Sequence, residues 1–208
     1  MGLYDRYVVP RLVNMCCTAS DIRRQRQKVV PHARGEVFEV GIGSGLNLPF
    51  YDPGKVTRVR AVEPSDRLRG QALAAGRTAP FPVEVLANGA ESVPYDNDSM
   101  DTVVVTYTLC SIPDLQGALS EMRRILRPDG QLLFVEHGLA PAEDAGVRRQ
   151  QRIFNPVWRR LGGGCHLNRD IPAEITRGGF AIDELETMYL PGVRFLKYNF
   201  WGNAHIAS

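Results

Sequence analysis

Long apolar runs are missing from this 208-residue sequence. No stretch approaches the roughly 18–20 consecutive apolar residues that a membrane-spanning helix needs, so a spanning segment is not predicted. Asp5, Arg6 and Arg11 fall early in the chain, where a secretory signal would need an uninterrupted apolar core. We therefore expect a cytoplasmic protein.

The sequence also has few cysteines and a small net charge. The four cysteines (Cys16, Cys17, Cys110 and Cys165) show no C-x-x-C spacing, so neither a disulfide framework nor a metal centre is predicted. The formal net charge is only +2, which is too small to indicate a nucleic-acid partner. The sequence does not indicate the oligomeric state of the protein.

What the sequence does contain is an alternation of short β-rich runs and helical segments. The hydrophobic content of 44% and the length fit one well-buried domain. The predicted strands are Glu36–Val40, Val56–Val62, Val83–Leu86, Thr102–Thr106 and Gln131–Val135. Helices are predicted between them, at Ser65–Gly76 and from Leu115 to Leu126. This order is typical of an α/β fold with a doubly wound, mostly parallel sheet.

The two ends of the chain depart from that alternation. Residues 1–35 are Arg-rich and amphipathic, with a break at Pro10, and are predicted to form an N-terminal helical lid segment. Gly146–Leu161 is predicted as a helix interrupted at Pro156, and Ala173–Arg177 as a short helix. Ala181–Tyr189 and Phe195–Ile206 are predicted to pair as a C-terminal antiparallel hairpin, which completes a seven-stranded sheet within residues 36–208.

A glycine-rich loop follows the first predicted strand. Gly41, Gly43 and Gly45 would let the backbone approach a ligand closely, because glycine has no Cβ. A dinucleotide fingerprint requires its third glycine at position 46, which is Leu46 here. Glu39, two residues before the loop, is placed to meet a cationic group such as an amino acid ammonium.

A second carboxylate, Glu63, lies at the end of the second predicted strand. An acidic side chain at this point can accept hydrogen bonds from both ribose hydroxyls. The loop and Glu63 together predict a nucleoside site that suits S-adenosylmethionine better than a dinucleotide.

Five motifs occur in the order found in Rossmann-fold (class I) S-adenosylmethionine-dependent methyltransferases, which the chain resembles. They are EVGIGSGLN (39–47), Glu63-Pro64, AESVPY (90–95), Asp101–Thr106 and LRPDG (126–130). Within that class the chain resembles small thiol methyltransferases and bacterial phospholipid N-methyltransferase-like proteins. This narrower resemblance is based on TLCS (108–111), VEH (135–137) and GCHLNR (164–169).

The resemblance implies a cofactor site around S-adenosylmethionine. Gly41, Gly43 and Gly45 would line its methionine and ribose parts, Glu63 would hold the ribose, and Thr106 would lie beside the methionine. Gly89 stands where related enzymes often have Asp, so backbone groups near Ala90 are expected to contact adenine. Glu91 could contact the ligand, but it is equally compatible with a structural role as a negative charge near a helix N-terminus. The predicted cofactor residues are Glu39, Gly41, Gly43, Gly45, Asn47, Glu63, Pro64, Gly89, Ala90, Glu91 and Thr106.

Candidates for acceptor chemistry are fewer. His137, just after the fifth strand, is the candidate general base, although a structural histidine explains it as well. His166 and Arg169 follow a glycine triplet and could close the site, and Tyr4 and Tyr7 could cover it from the lid segment.

The predicted function is methyl transfer to a small or lipophilic acceptor, with thiol sulfur or amine nitrogen favoured. C-methylation of a quinone-like ring is one alternative, and metalloid chemistry at the cysteines is another. A non-catalytic nucleoside-binding protein at a membrane surface or on a partner is a third, motivated by the amphipathic N-terminus. A weak membrane-surface contact is compatible with the favoured function too.

Overall fold

Seven strands form one sheet in a computed structural model that describes residues 8, 9, 11 and 17–207. They are β1 (Gly35–Val40), β2 (Val56–Val62), β3 (Val83–Leu86), β4 (Met100–Thr106), β5 (Leu126–His137), β6 (Phe180–Tyr189) and β7 (Tyr198–Ile206). Their order across the sheet is β3-β2-β1-β4-β5-β7-β6.

The first five strands are parallel, and β7 runs antiparallel between β5 and β6. The strand order reverses between β1 and β4, which are neighbours in the sheet. In open α/β sheets, ligands bind beyond the carboxyl ends of the strands at such a switch point. The predicted seven-stranded, doubly wound sheet and its antiparallel hairpin are confirmed.

Five α-helices accompany the sheet in the described residues. They are α1 (Ser20–Val29), α2 (Asp66–Gly76), α3 (Leu115–Ile125), α4 (Ala145–Leu161) and α5 (Ile171–Arg177). Side-chain caps begin three of them, since Ser65, Asp114 and Asp170 each accept a backbone N–H from the first turn. None of the helices described is both long and apolar enough to cross a bilayer.

The hydrophobic core lies on both faces of the sheet. One cluster packs the buried face of α3, including Leu119 and Met122, against Phe134 of β5. The other packs Val29 and Val30, at the end of α1, with Val37 and other residues on the opposite face. The central strands are therefore covered on both sides, as the continuous apolar run of β4 predicted.

Two local predictions need correction. The LRPDG segment was expected to end a helix before a strand at Gln131, but β5 already begins at Leu126, which pairs with Met100 beside an irregularity in register. Pro156 lies within α4 and does not break it. An interior proline removes one backbone N–H and crowds the carbonyl four residues earlier, but the helix is exposed around Pro156, where water can bind that carbonyl.

The N-terminal segment is described only in part. The helical prediction is confirmed for α1, whose Ile22 is buried as the amphipathic pattern requires. Tyr4, Tyr7 and Pro10 lie outside the described residues.

Candidate cofactor and acceptor site

The three glycines of the loop after β1 all have left-handed backbone, with φ of +66° at Gly41, +60° at Gly43 and +85° at Gly45. A Cβ on Gly41 would lie 2.6 Å from the Thr108 side chain, and one on Gly45 would lie 3.2 Å from Ala75 of α2. Of these three positions, Gly43 alone has open space where a Cβ would lie. Gly41 and Gly45 thus permit close packing, while Gly43 leaves room for a ligand.

Glu63 reaches this loop from the end of β2. Its Oε2 accepts the Gly43 N–H at 3.0 Å, and its Oε1 accepts the Ser65 N–H at 2.9 Å. Burial raises the pKa of Glu63, and the two backbone N–H groups partly offset that rise. A carboxylate offers about four lone-pair sites, so two remain for ligand hydroxyls. Pro64 follows on the exposed side.

A buried polar network lies under the loop. Glu39, which is 1% exposed, accepts hydrogen bonds from Asn47 at 2.9 Å and from the Tyr51 hydroxyl at 2.7 Å. The Arg26 guanidinium donates to Asn47 Oδ1 at 2.8 Å and to Thr106 Oγ1 at 2.5 Å. The predicted residues Glu39, Asn47 and Thr106 are therefore in one cluster with α1.

Sequence reasoning missed Arg26, which is 5% exposed. Burial raises the pKa of Glu39 to about 7, although Tyr51, Arg26 and Asn47 all favour the ionised form. A cation that acts on Glu39 is therefore supplied by the chain itself, through Arg26. The Nε of Arg26 is buried and has no hydrogen-bond partner among the described residues, which is unusual for a charged group.

In the segment after β3, Glu91 lies beside Gly89, the position at which related enzymes often have Asp. A Cβ at this position would collide with Glu91 Oε2, so the Glu91 carboxylate occupies the space where a side chain of residue 89 would begin. An acidic group is thus present beside position 89, although residue 89 does not supply it. Ala90, next to it, is buried.

The loop after β4 begins with backbone strain. Tyr107 has φ of +55°, which is uncommon for a residue with a side chain, and its hydroxyl donates to Asn199 at 2.7 Å. Glu136 of β5 holds the next part of the loop, because its Oε1 accepts the N–H groups of Thr108 at 2.5 Å and Leu109 at 2.8 Å. Burial raises the pKa of Glu136 to about 7.

His137, the candidate base, lies 3.0 Å from Cys165 Sγ through its Nε2. The Trp158 indole also donates to Cys165, at 3.2 Å. A hydrogen bond from the Cys110 thiol and the neighbouring His137 lower the pKa of Cys165, against its burial. Burial opposes protonation of His137, but Cys165 and Glu136 together raise its pKa.

His166 and Arg169 join two loops of the protein. His166 contacts the Cys110 carbonyl through its backbone N–H at 2.9 Å and through its ring Nδ1 at 3.0 Å. The Arg169 guanidinium donates to the carbonyls of Leu109 and Ile112. Both residues therefore fasten the segment after α4 to the loop after β4, which brings Cys165 close to Cys110.

These features fit S-adenosylmethionine. The open space at Gly43 lies beside a buried carboxylate that has lone pairs for ribose hydroxyls, and the Glu91 carboxylate stands near the adenine side. The Arg26 and Glu39 network lies below the carboxyl ends of β1 and β4, where the methionyl part is expected. The loop has leucine at position 46, where a dinucleotide site requires its third glycine.

Comparisons with known proteins agree with this geometry. A family model described as a methyltransferase domain matches residues 38–134. The thiol S-methyltransferase TMT1B of Homo sapiens is 34% identical over 159 residues, which cover 74% of this chain and 64% of that protein. The phosphatidylethanolamine N-methyltransferase of Cereibacter sphaeroides is 30% identical over 121 residues, covering 57% of this chain and 59% of that protein.

Solved structures support the same fold. A methyltransferase from Aquifex aeolicus has a TM-score of 0.66 and 15% identity, and the match covers 95% of this chain and 98% of that one. Residues 38–134 therefore form a methyltransferase domain, and the fold is that of class I S-adenosylmethionine-dependent methyltransferases, whose cofactor the site fits. The chain is similar to thiol S-methyltransferases and to a phosphatidylethanolamine N-methyltransferase. It spans less than two thirds of the length of these relatives.

Proposed function

We propose that the protein transfers the methyl group of S-adenosylmethionine to the sulfur of a small thiol. The observation that carries the proposal is the 34% identity to a thiol S-methyltransferase over 74% of the chain. This match favours sulfur over a quinone ring carbon and over a non-catalytic binding role.

The chain's own residues account for binding and orientation. Glu63 holds the ribose, and Glu91 accepts a hydrogen bond from the adenine amino group. The Nε of Arg26 binds the carboxylate of the methionyl part. The bound cofactor supplies an electrophilic methyl on a sulfonium centre, and much of the rate gain in such a displacement comes from holding the acceptor in line.

The acceptor is placed in this proposal where the loop after β4 meets the segment after α4. Tyr107 begins the first of these loops in a strained conformation, and Arg169 fastens the second to it. His137 lies at the same junction, but its Nε2 is already within 3.0 Å of Cys165. A role as general base would require that contact to open first.

A lipophilic acceptor and a weak membrane-surface contact form the second part of the proposal. Ile153 and Val157 of α4 are each 59% exposed, and Leu161 continues the same helix face. Arg149, Arg152, Arg159 and Arg160 are exposed on the same helix. An amphipathic helix with apolar and basic exposed residues suits the interface of an anionic bilayer. We retain a cytoplasmic location in the proposal.

The test is methyl transfer from radiolabelled S-adenosylmethionine to a panel of acceptors. The panel contains alkyl and aryl thiols, their alcohol analogues, phosphatidylethanolamine vesicles and a demethylated quinol. We expect labelled thioether from the thiols and none from the alcohols, with Glu63→Ala as the cofactor-binding control. Transfer to phosphatidylethanolamine or to the quinol but not to thiols would contradict the proposal. Tight cofactor binding without transfer to any acceptor would indicate a binding module.

A further inference from the structure

Three soft or borderline ligand atoms converge at one point beside the acceptor region. They come from Cys110 in the loop after β4, His137 at the end of β5, and Cys165 in the segment after α4. Their ligand atoms all lie within 4.8 Å of one another, and the His137 Nε2 to Cys165 Sγ distance is 3.0 Å. Cys110 is 3% exposed, and the other two side chains are partly buried.

The surrounding residues hold the backbone around Cys110 and the Cys165 side chain in place. Glu136 accepts the N–H groups of Thr108 and Leu109, which directly precede Cys110. The His166 N–H donates to the Cys110 carbonyl at 2.9 Å, and the Trp158 indole donates to Cys165 Sγ at 3.2 Å. Hydrogen bonds of this kind orient the ligands in metal sites and tune their affinity.

We propose that Cys110, His137 and Cys165 form a three-ligand site for Zn²⁺. Two thiolates balance the charge of the ion, and thiolate with imidazole is a donor set that zinc prefers. Zinc bonds of about 2.3 Å to sulfur and about 2.0–2.1 Å to nitrogen place tetrahedral ligand atoms roughly 3.5 Å apart. The imidazole and the Cys165 sulfur therefore need to separate by only about half an ångström.

No fourth Cys, His, Asp or Glu ligand atom joins this group within the part of the chain that the structure describes. Zinc with three protein ligands keeps a position open for water or substrate, as catalytic sites do. The cluster itself lies near the cofactor loop, because the Thr108 side chain packs against Gly41 and Cys110 is two residues further on.

A role for the open position follows, and it rests on the proposed thiol methylation. An acceptor thiol that displaces the zinc-bound water loses its proton to solvent, because a coordinating thiol is deprotonated. The resulting thiolate sulfur attacks the sulfonium methyl. The new carbon–sulfur bond forms as the old one breaks, and the bonding electron pair stays on the cofactor sulfur. The thioether product carries no charge and leaves the metal.

The first experiment measures metal content without any acceptor. The full chain, kept reduced with a phosphine, is loaded with Zn²⁺, dialysed against a weak chelator and analysed by mass spectrometry for metals. We expect one zinc per chain. Loss of an outer hydrogen-bond partner alone costs about 10–100-fold in metal affinity, so Cys110→Ser, Cys165→Ser and His137→Gln should each weaken binding by more than that. Cys17→Ser and His205→Gln are matched controls that should retain zinc.

Folding of each variant is checked by thermal unfolding and by calorimetric binding of S-adenosylhomocysteine. A second measurement on the wild-type chain keeps the test independent of the variants. Substitution with Co²⁺ should give tetrahedral d–d bands together with sulfur-to-cobalt charge transfer. A wild-type chain that does not retain zinc, a cobalt spectrum without sulfur charge transfer, or loss of zinc in Cys17→Ser would each overturn the three-ligand site.

The acceptor step has a separate readout. A small alkyl thiol added to the Co²⁺-loaded chain should strengthen the sulfur charge-transfer band, while the matching alcohol leaves it unchanged. An unchanged spectrum with the thiol overturns coordination of the acceptor. If zinc and thiol both bind but no methyl transfer to thiols occurs, the proposed function fails and the metal site stands.

Discussion

The backbone N–H of Gly43 donates to Glu63 Oε2 over 3.0 Å, which ties the cofactor loop to the end of the neighbouring strand. The same carboxylate accepts the Ser65 N–H at the start of α2. Glu63 thus has two functions, since it fixes the loop after β1 and keeps lone pairs for a ligand that occupies the space beside Gly43. Loss of this side chain should disturb the nucleoside site without opening the core.

The first prediction concerns Glu63→Ala. Removing the carboxylate leaves ribose hydroxyls without their acceptor, so cofactor affinity should fall by roughly 1–3 kcal/mol. Isothermal titration with S-adenosylhomocysteine measures the change. Glu84→Ala, at an exposed position on the adjacent strand β3, is the matched control and should bind like the wild type. NAD should not compete in either protein. Unchanged affinity of Glu63→Ala, or measurable competition by NAD, would count against the assigned cofactor geometry.

Much of the fold and cofactor site was predictable from sequence because it depends on local patterns. The glycines at 41, 43 and 45 and the acid at 63 each follow a strand that the hydrophobic pattern reveals. Parallel strands carry such residues to one edge of a sheet. The confirmed strand order therefore brings the loop and Glu63 together without further information.

The rest of the site depends on contacts that no local pattern encodes. Arg26 meets Thr106 across 80 residues of sequence, and an amphipathic helix pattern treats a buried arginine as a surface residue. His137 and Cys165 are 28 residues apart, without a recognisable ligand spacing. The Gly89 substitution was visible in the sequence, but only the structure shows Glu91 occupying the adjacent space.

The second prediction tests that role of Glu91. If its carboxylate accepts a hydrogen bond from the adenine amino group, Glu91→Ala should weaken S-adenosylhomocysteine binding by about 1–3 kcal/mol. Binding of S-inosylhomocysteine, which lacks that amino group, should change much less. The ratio of the two dissociation constants, measured by calorimetry in both proteins, isolates the contact. Equal losses for both ligands would show that Glu91 does not read the amino group.

The third prediction addresses Arg26 and its network. Arg26→Met removes two buried hydrogen bonds and the positive charge that favours ionised Glu39, so the free energy of unfolding should fall by about 3 kcal/mol. Urea denaturation measures it, and Arg24→Met, at an exposed position on the same helix, should cost little.

Adding Glu39→Gln should recover part of that loss, because the double variant no longer buries an uncompensated carboxylate. A coupling energy on the order of 0.5–3 kcal/mol is expected from the double-mutant cycle. Strict additivity of the two single changes would show that Arg26 and Glu39 do not interact.

A fourth prediction concerns the exposed face of α4. Replacing Ile153 and Val157 with Asp removes apolar area and places negative charge between arginines, so co-sedimentation with anionic phosphatidylserine vesicles should decrease. Both side chains are largely exposed, so the replacement should leave the fold intact, and thermal unfolding checks this. Leu73→Asp, at another exposed apolar position, is the control. Equal sedimentation of all three proteins would exclude α4 as a membrane contact.

The fifth prediction is a pH dependence that arises from Glu39. Burial raises its pKa to about 7 in the folded chain, whereas an unfolded glutamate titrates near its ordinary value of 4.5. Between these two values the folded state holds a proton that the unfolded state has released. The contribution of Glu39 to stability is therefore fully present below pH 4.5, declines as the pH rises to about 7, and is constant above that.

Glutamine imitates the protonated side chain and does not titrate, so Glu39→Gln should lack this decline. Relative to the wild type, the variant should gain stability between pH 4.5 and about pH 7, with a slope approaching about 1.4 kcal/mol per pH unit in the middle of that range. Urea denaturation at unit intervals of pH, without cofactor, measures the difference. Because Glu136 also has a raised pKa and titrates in both proteins, its contribution cancels in the comparison. Parallel stability curves for the two proteins would mean that Glu39 keeps the same protonation state across this range, and the electrostatic account of the network would be wrong.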